Sequence, residues 1–91
     1  MRRIAILGST GSIGTKALDV IESHPDDFSV AALASHSNVA LLADQAKKYR
    51  PKLVAIYDES KFSDLRNSLA EPEIKVLCGS SGVEEAARCG E

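Results

Sequence analysis

This 91-residue sequence is poor in several things, and each shortage excludes a class of protein. Its two cysteines, Cys78 and Cys89, are too few and too oddly spaced for a disulfide framework or a zinc site, so a reducing cytoplasm is the expected setting. Positive charge is not in excess: 11 Lys plus Arg stand against 13 Asp plus Glu, for a net charge of −2, which removes the electrostatic case for a nucleic-acid partner. No apolar run comes near the roughly 20 residues that span a bilayer, so no membrane partner is expected. After Arg2 and Arg3 only four apolar residues, Ile4 to Leu7, precede Gly8, too few for a signal-peptide core. Low-complexity linkers and internal repeats are also missing. What remains, 44% hydrophobic and 26% charged, is the composition of an ordinary globular chain rather than a disordered or collagen-like one. Its length allows one small domain, near the lower limit for a self-sufficient core.

The hydrophobic pattern alternates between short apolar runs and helical spacings. Ile4 to Leu7 reads as a strand buried on both faces. Beyond the Gly8 to Gly14 loop, Ile13, Ala17, Val20 and Ile21 recur as one stripe of a helix, which Pro25 ends by biasing His24 away from helical dihedrals. Phe28 to Ala34 is a second strand. Asn38 is a good N-cap for a helix carrying Val39, Leu42, Ala43 and Ala46 inward. Lys47, Lys48 and Arg50 suit that helix's negative end, and Pro51 stops it. Leu53 to Tyr57 is a third strand, followed by a helix capped by Asp58 or Ser60 and burying Phe62, Leu65 and Leu69. Ile74 to Cys78 is a fourth, and Ser81-Gly82-Val83-Glu84 has the spacing of a capping box for a last helix. The order βαβαβαβα, at about 23 residues per unit, predicts an α/β Rossmann-like parallel sheet with right-handed crossovers. The expected strand order is 3-2-1-4. It leaves the fourth strand as an open edge and predicts weak isolated stability or pairing of that edge with a neighbouring chain.

Gly8-Ser9-Thr10-Gly11-Ser12-Ile13-Gly14 falls between the first strand and the first helix. The start of a helix presents unpaired N–H groups and a partial positive charge, and a phosphate fits there without a charged side chain. Gly8 supplies a tight turn, Gly11 allows close approach of a pyrophosphate, and Gly14 allows the helix to pack closely on the sheet. Thr10 and Ser12 add hydroxyls. The spacing is G-x-x-G-x-x-G rather than the commoner G-x-G-x-x-G. A bare glycine pattern is weak evidence, since a glycine-rich turn also tightens a βα corner. Its place after an N-terminal strand, with a full βαβ unit behind it, favours dinucleotide binding. A P-loop is excluded, because no Gly-Lys-Ser/Thr follows.

An NAD site usually carries an acidic residue at the end of the second strand for the ribose hydroxyls. Here Ala34-Ser35-His36-Ser37-Asn38 occupies that position, and no Asp or Glu occurs from Ser29 to Ala43. A carboxylate-free, donor-rich loop suits an extra 2′-phosphate, which favours NADP. The plainer reading is that these residues shape the loop, with Asn38 as a cap. His36 has two open readings, a ring against adenine or phosphate and a solvated loop histidine. His24 reads as a helix-dipole partner. The carboxylates sit at helix starts or solvent faces and form no inward pair.

Ile4-Ala5-Ile6-Leu7-Gly8-Ser9-Thr10-Gly11-Ser12-Ile13-Gly14, with Leu18-Asp19-Val20-Ile21, Pro25 to Phe28, Val30 to Ala34 and Asn38-Val39, resembles the N-terminus of 1-deoxy-D-xylulose 5-phosphate reductoisomerases. The resemblance covers the whole chain, and the first 40 residues are its distinctive part. It implies an enzyme of non-mevalonate isoprenoid biosynthesis. Such an enzyme rearranges its sugar-phosphate substrate and reduces it with NADPH to 2-C-methyl-D-erythritol 4-phosphate, using a divalent metal (Mg or Mn), as a homodimer at full length. By position, Thr10, Gly11, Ser12 and Ile13 are expected to contact the NADPH phosphates. His36, Ser37 and Asn38 are expected to hold the adenosine 2′-phosphate, although family members often carry a glycine and a basic residue in place of His36 and Ser37. The family's metal ligands and substrate-phosphate site belong to sequence beyond Glu91. The chain is therefore expected to be the N-terminal part of an NADP-binding Rossmann domain, 1–91, inactive alone. Another NADP-dependent reductase and a stand-alone nucleotide-sensing domain are the competing readings.

Overall fold

The computed structural model describes residues 2–90. Four strands, β1 (Arg2–Leu7), β2 (Phe28–Ser35), β3 (Leu53–Ile56) and β4 (Lys75–Cys78), alternate with α1 (Ser12–Ser23), α2 (Val39–Tyr49), α3 (Phe62–Leu69) and α4 (Gly79–Arg88). A single 3-10 turn, Glu59–Lys61, precedes α3. All neighbouring strands pair in parallel.

The strands alternate large and small residues, and this decides what each face accepts. Ile6, Leu33, Val54 and Ile56 point to one face, where Leu18 and Ile21 of α1, Leu42 and Ala46 of α2, and Leu65 and Leu69 of α3 cover them. Ala5, Ala32, Ala34 and Ala55 point to the other, where small side chains let α4 lie close with Ala86 inward. Gly82 makes that approach possible, since a Cβ there would stand 3.0 Å from the Leu77 Cβ. Leu33, Leu42, Ile56 and Leu65 are completely buried, each stabilising the fold by about 1.5–3 kcal/mol relative to exposure.

The strand order is β1-β2-β3-β4, which corrects the expected 3-2-1-4. In a right-handed crossover, the face on which the helix packs dictates the direction in which the sheet grows. Because Leu65 and Leu69 of α3 join the cluster already built by α1 and α2, the third crossover repeats the first two and adds β4 outside β3. Only α4 changes face. It runs back across β3 and β2 to β1, where Gly90 closes on Ala5. Among the described residues the sheet thus has β1 and β4 as its two edges.

Two local expectations also shift. In α1 the buried stripe is Gly14, Leu18 and Ile21, with Ile13 84% and Val20 56% exposed. Contact of Gly14 with the loop sets the helix rotation, and this turns Ile13 and Val20 to solvent. In α4 the helix starts at Gly79, where φ of +75° turns the chain, so Ser81 lies inside the first turn and no capping box forms. Asn38 does cap α2, its Oδ1 accepting from the Leu41 N–H at 3.2 Å, and Arg50 closes α2 in the left-handed region.

Candidate functional site at the β1–α1 turn

The glycine loop is held by backbone bonds that need no particular side chain. Gly8, at φ +75°, reverses the chain after β1. The Gly8 and Ser9 N–H groups then both donate to the Ala34 carbonyl, at 2.8 and 2.9 Å, which ties the loop to the end of β2. Gly11 N–H donates to the Gly8 carbonyl at 3.1 Å, and Thr15 N–H to the Gly11 carbonyl at 2.9 Å opens the helix. Gly14 is where the helix passes closest to this turn: a Cβ there would overlap the Gly8 carbonyl oxygen and lie 2.7 Å from the Ser9 Cα. Gly11 is different. A Cβ on it would meet only the Gly8 oxygen, at an ordinary 3.5 Å, so packing does not require a glycine there.

Side chains brace the loop from below. The Thr10 and Ser35 hydroxyls lie 2.7 Å apart in a shared hydrogen bond. Gln45, buried on α2, donates its Nε2 to the Ser9 carbonyl at 2.8 Å. The sequence reading missed Gln45 and buried Ser9, although Gln45 falls three residues after Leu42, on the apolar stripe, where a polar residue asks for an explanation. The Thr10 hydroxyl, expected to donate to a ligand, shares its hydrogen bond with Ser35, and either oxygen can be the donor.

Above this base the helix start is open. Gly11 is the N-cap and offers no side chain, no acidic residue lies in the first turn, and the N–H groups of Ser12, Ile13 and Gly14 meet no carbonyl acceptor among the described residues. Three parallel donors at the positive end of a helix define an anion cradle. They border a cleft of about 530 Å³ lined by Leu7, Gly8, Gly11, Ile13, Gly14 and Ala17, among others. Gly11, Ser12 and Ile13 are exposed to it. A groove of about 520 Å³ near Phe62, Arg66 and Pro72 lies at the start of β4, the end of the sheet away from the glycine loop.

His36, Ser37 and Asn38 follow β2 at the same end of the sheet as the loop, and all three are exposed. The His36 ring stacks on Tyr57, with centroids 5.2 Å apart. Asp58, next to Tyr57, is held below the usual carboxylate range by the Ser60 hydroxyl and then its N–H, with a smaller contribution from the nearby Lys61 ammonium. His24 keeps its structural role, with Nδ1 3.0 Å from the Val20 carbonyl. Among the described residues no group of three His, Cys, Asp or Glu side chains is arranged to hold a metal ion.

A parallel open sheet, helices on both faces and a glycine turn feeding an uncapped helix define a Rossmann-like α/β protein. The chain belongs to the 1-deoxy-D-xylulose 5-phosphate reductoisomerase family, whose model matches residues 4–91. It is 48% identical over 93 residues to the reductoisomerase of Crocosphaera subtropica, covering 100% of this chain and 23% of that protein. With the chloroplastic enzyme of Oryza sativa subsp. japonica identity is 52% over 87 residues, covering 93% of this chain and 18% of the relative. The NADPH complex of the Zymomonas mobilis reductoisomerase superposes with a TM-score of 0.88 at 40% identity, over 93% of this chain and 22% of that one. A reductoisomerase complex with NADPH, fosmidomycin and magnesium matches at TM-score 0.84 and 28% identity, over 90% of this chain and 20% of that chain. The chain thus spans about a quarter or less of the length of its relatives.

Proposed function

We propose that residues 1–91 form the N-terminal part of the NADP-binding Rossmann domain of a reductoisomerase. The whole enzyme would rearrange 1-deoxy-D-xylulose 5-phosphate and reduce it with NADPH to 2-C-methyl-D-erythritol 4-phosphate, acting in the cytoplasm as a homodimer. The observation that carries the reading is the uncapped start of α1 above a braced glycine loop. There the Ser12, Ile13 and Gly14 N–H groups converge and Gly11 leaves room that packing does not require. In this role Gly11, Ser12 and Ile13 meet the pyrophosphate, and Thr10 positions the loop through Ser35 while presenting its backbone. The exposed Ile13 side chain becomes a wall for the bound dinucleotide. His36, Ser37 and Asn38 receive the 2′-phosphate at the end of β2, where the chain from Ser29 to Ala43 carries no acidic residue. NADPH supplies the hydride when bound, and this chain's residues hold and orient it. Magnesium is present in related complexes, but the described residues include no group of three His, Cys, Asp or Glu side chains that fits a metal ion.

Titration of the ¹⁵N-labelled chain with NADPH and with NADH tests this. The expected result is preferential NADPH binding, with amide shifts concentrated at Gly11 to Gly14 and Ser37 to Asn38. Equal binding of NADH would refute the 2′-phosphate assignment, and shifts centred elsewhere would refute the loop assignment.

A further inference from the structure

Tyr57 is 50% exposed although it directly follows β3, whose four residues are all buried. A half-exposed ring at a strand end means little alone, but its neighbour gives it meaning. β2 and β3 pair Ser35 with Ile56, and the ladder runs one rung past both strands. Tyr57 N–H donates to the Ser35 carbonyl at 2.9 Å and Asp58 N–H to the His36 carbonyl at 2.8 Å. That rung sets His36 beside Tyr57 at about the 4.8 Å spacing of adjacent strands, and the two rings stack at 5.2 Å with 30° between their planes. Ala34 and Ala55, two residues earlier on each strand, face α4, so alternation sends both rings off on the α4 face. β2 adjoins β1 and β3 lies one strand farther. His36 therefore stands between Tyr57 and the glycine loop. The nearby Asp58 carboxylate is already engaged by Ser60.

We propose that Tyr57 is a positioning residue for a purine base. Its ring backs His36, so that the imidazole presents a fixed face on which the adenine of a dinucleotide stacks, extending the pair to three rings. The inference rests on the dinucleotide reading above and adds the base to the phosphates assigned there. Base–aromatic stacking needs only a π-face held in place. Without Tyr57 an exposed imidazole has to be ordered at the moment of binding, which weakens affinity by about two- to tenfold.

The test titrates the chain and its Tyr57→Ala, Tyr57→Leu and Tyr57→Phe variants with NADPH and with adenosine 2′-monophosphate, followed by NMR. The Ala and Leu variants are expected to bind both ligands about two- to tenfold more weakly, with Tyr57→Phe restoring wild-type affinity. At saturation with NADPH, the Ser12, Ile13 and Gly14 amide shifts are expected to match wild type in every variant. The adenine H2 and H8 resonances should move upfield in wild type and Tyr57→Phe and less in Tyr57→Ala. Unchanged affinity in Tyr57→Ala, or a Leu variant as good as Phe, overturns the proposal while leaving the dinucleotide reading intact. Failure of the wild-type chain to bind either ligand overturns both.

Discussion

Replacing Gly14 by alanine sets two effects of opposite sign against each other. Gly14 sits in the first turn of α1, where helix propensity alone predicts that Ala stabilises by about 0.8–1.0 kcal/mol. Against this, the new Cβ would lie 2.7 Å from the Ser9 Cα and 2.9 Å from the Gly8 carbonyl carbon, and would overlap the Gly8 oxygen. All three are backbone atoms of a loop pinned by two bonds to Ala34 and by Gln45, so no side chain can swing aside. Helix and loop would have to separate by most of an ångström, and overpacking of this kind costs about 1–3 kcal/mol, occasionally more. A clash against pinned backbone belongs in the upper half of that range, about 2–3 kcal/mol, so it should win, for a net loss of about 1–2 kcal/mol and a fall in Tm of about 4–16 °C for a domain of this size. Gly11→Ala is the matched control. Its Cβ meets one atom at 3.5 Å, and its φ of −80° is open to any residue, so it costs only the loss of a favourable N-cap, about 0.5–1 kcal/mol. Urea denaturation followed by far-UV circular dichroism measures both. A Gly14→Ala variant as stable as wild type, or less damaging than Gly11→Ala, would refute the close-approach argument.

Two further outcomes are expected. Leu18→Ala should cost about 2–5 kcal/mol and Val20→Ala less than about 0.5 kcal/mol, since Leu18 is buried and Val20 is exposed; equal losses in urea melts would show the α1 stripe to be wrongly placed. Asp58 should stay ionised below the ordinary carboxylate range because Ser60 hydrogen-bonds its charged form. Its contribution to the 3-10 turn is therefore full above the unfolded value of about 3.9 and lost as pH falls through the lower folded value. An NMR pH titration should show Ser60→Ala moving the Asp58 midpoint upward, and an unmoved midpoint would contradict the assignment.

The periodicity of the sequence was enough to place the strands to within two residues at each end, because apolar runs and turn residues are local signals. The same holds for the Asn38 cap and the Gly8 turn, each of which involves neighbours in the chain. The errors came where partners are distant. Ile13 and Val20 continue the i, i+4, i+7 spacing as well as Leu18 does, and only contact of Gly14 with Gly8 and Ser9 selects the face of α1 that is buried. Gln45 was not singled out, because its partner, the Ser9 carbonyl, lies 36 positions away in the chain.

The residues alone thus determined an α/β alternation, a glycine turn at the start of the first helix and a family resemblance carried by that loop. Tertiary structure decided the strand order, because the direction of sheet growth depends on which face α3 packs against, and that follows from Leu65 and Leu69 meeting the cluster of α1 and α2. It also decided that Thr10 braces the loop and that His36 has Tyr57 behind it. Both pairings join strand ends or loops more than 20 residues apart, and no local pattern encodes which of them will lie on the same rung.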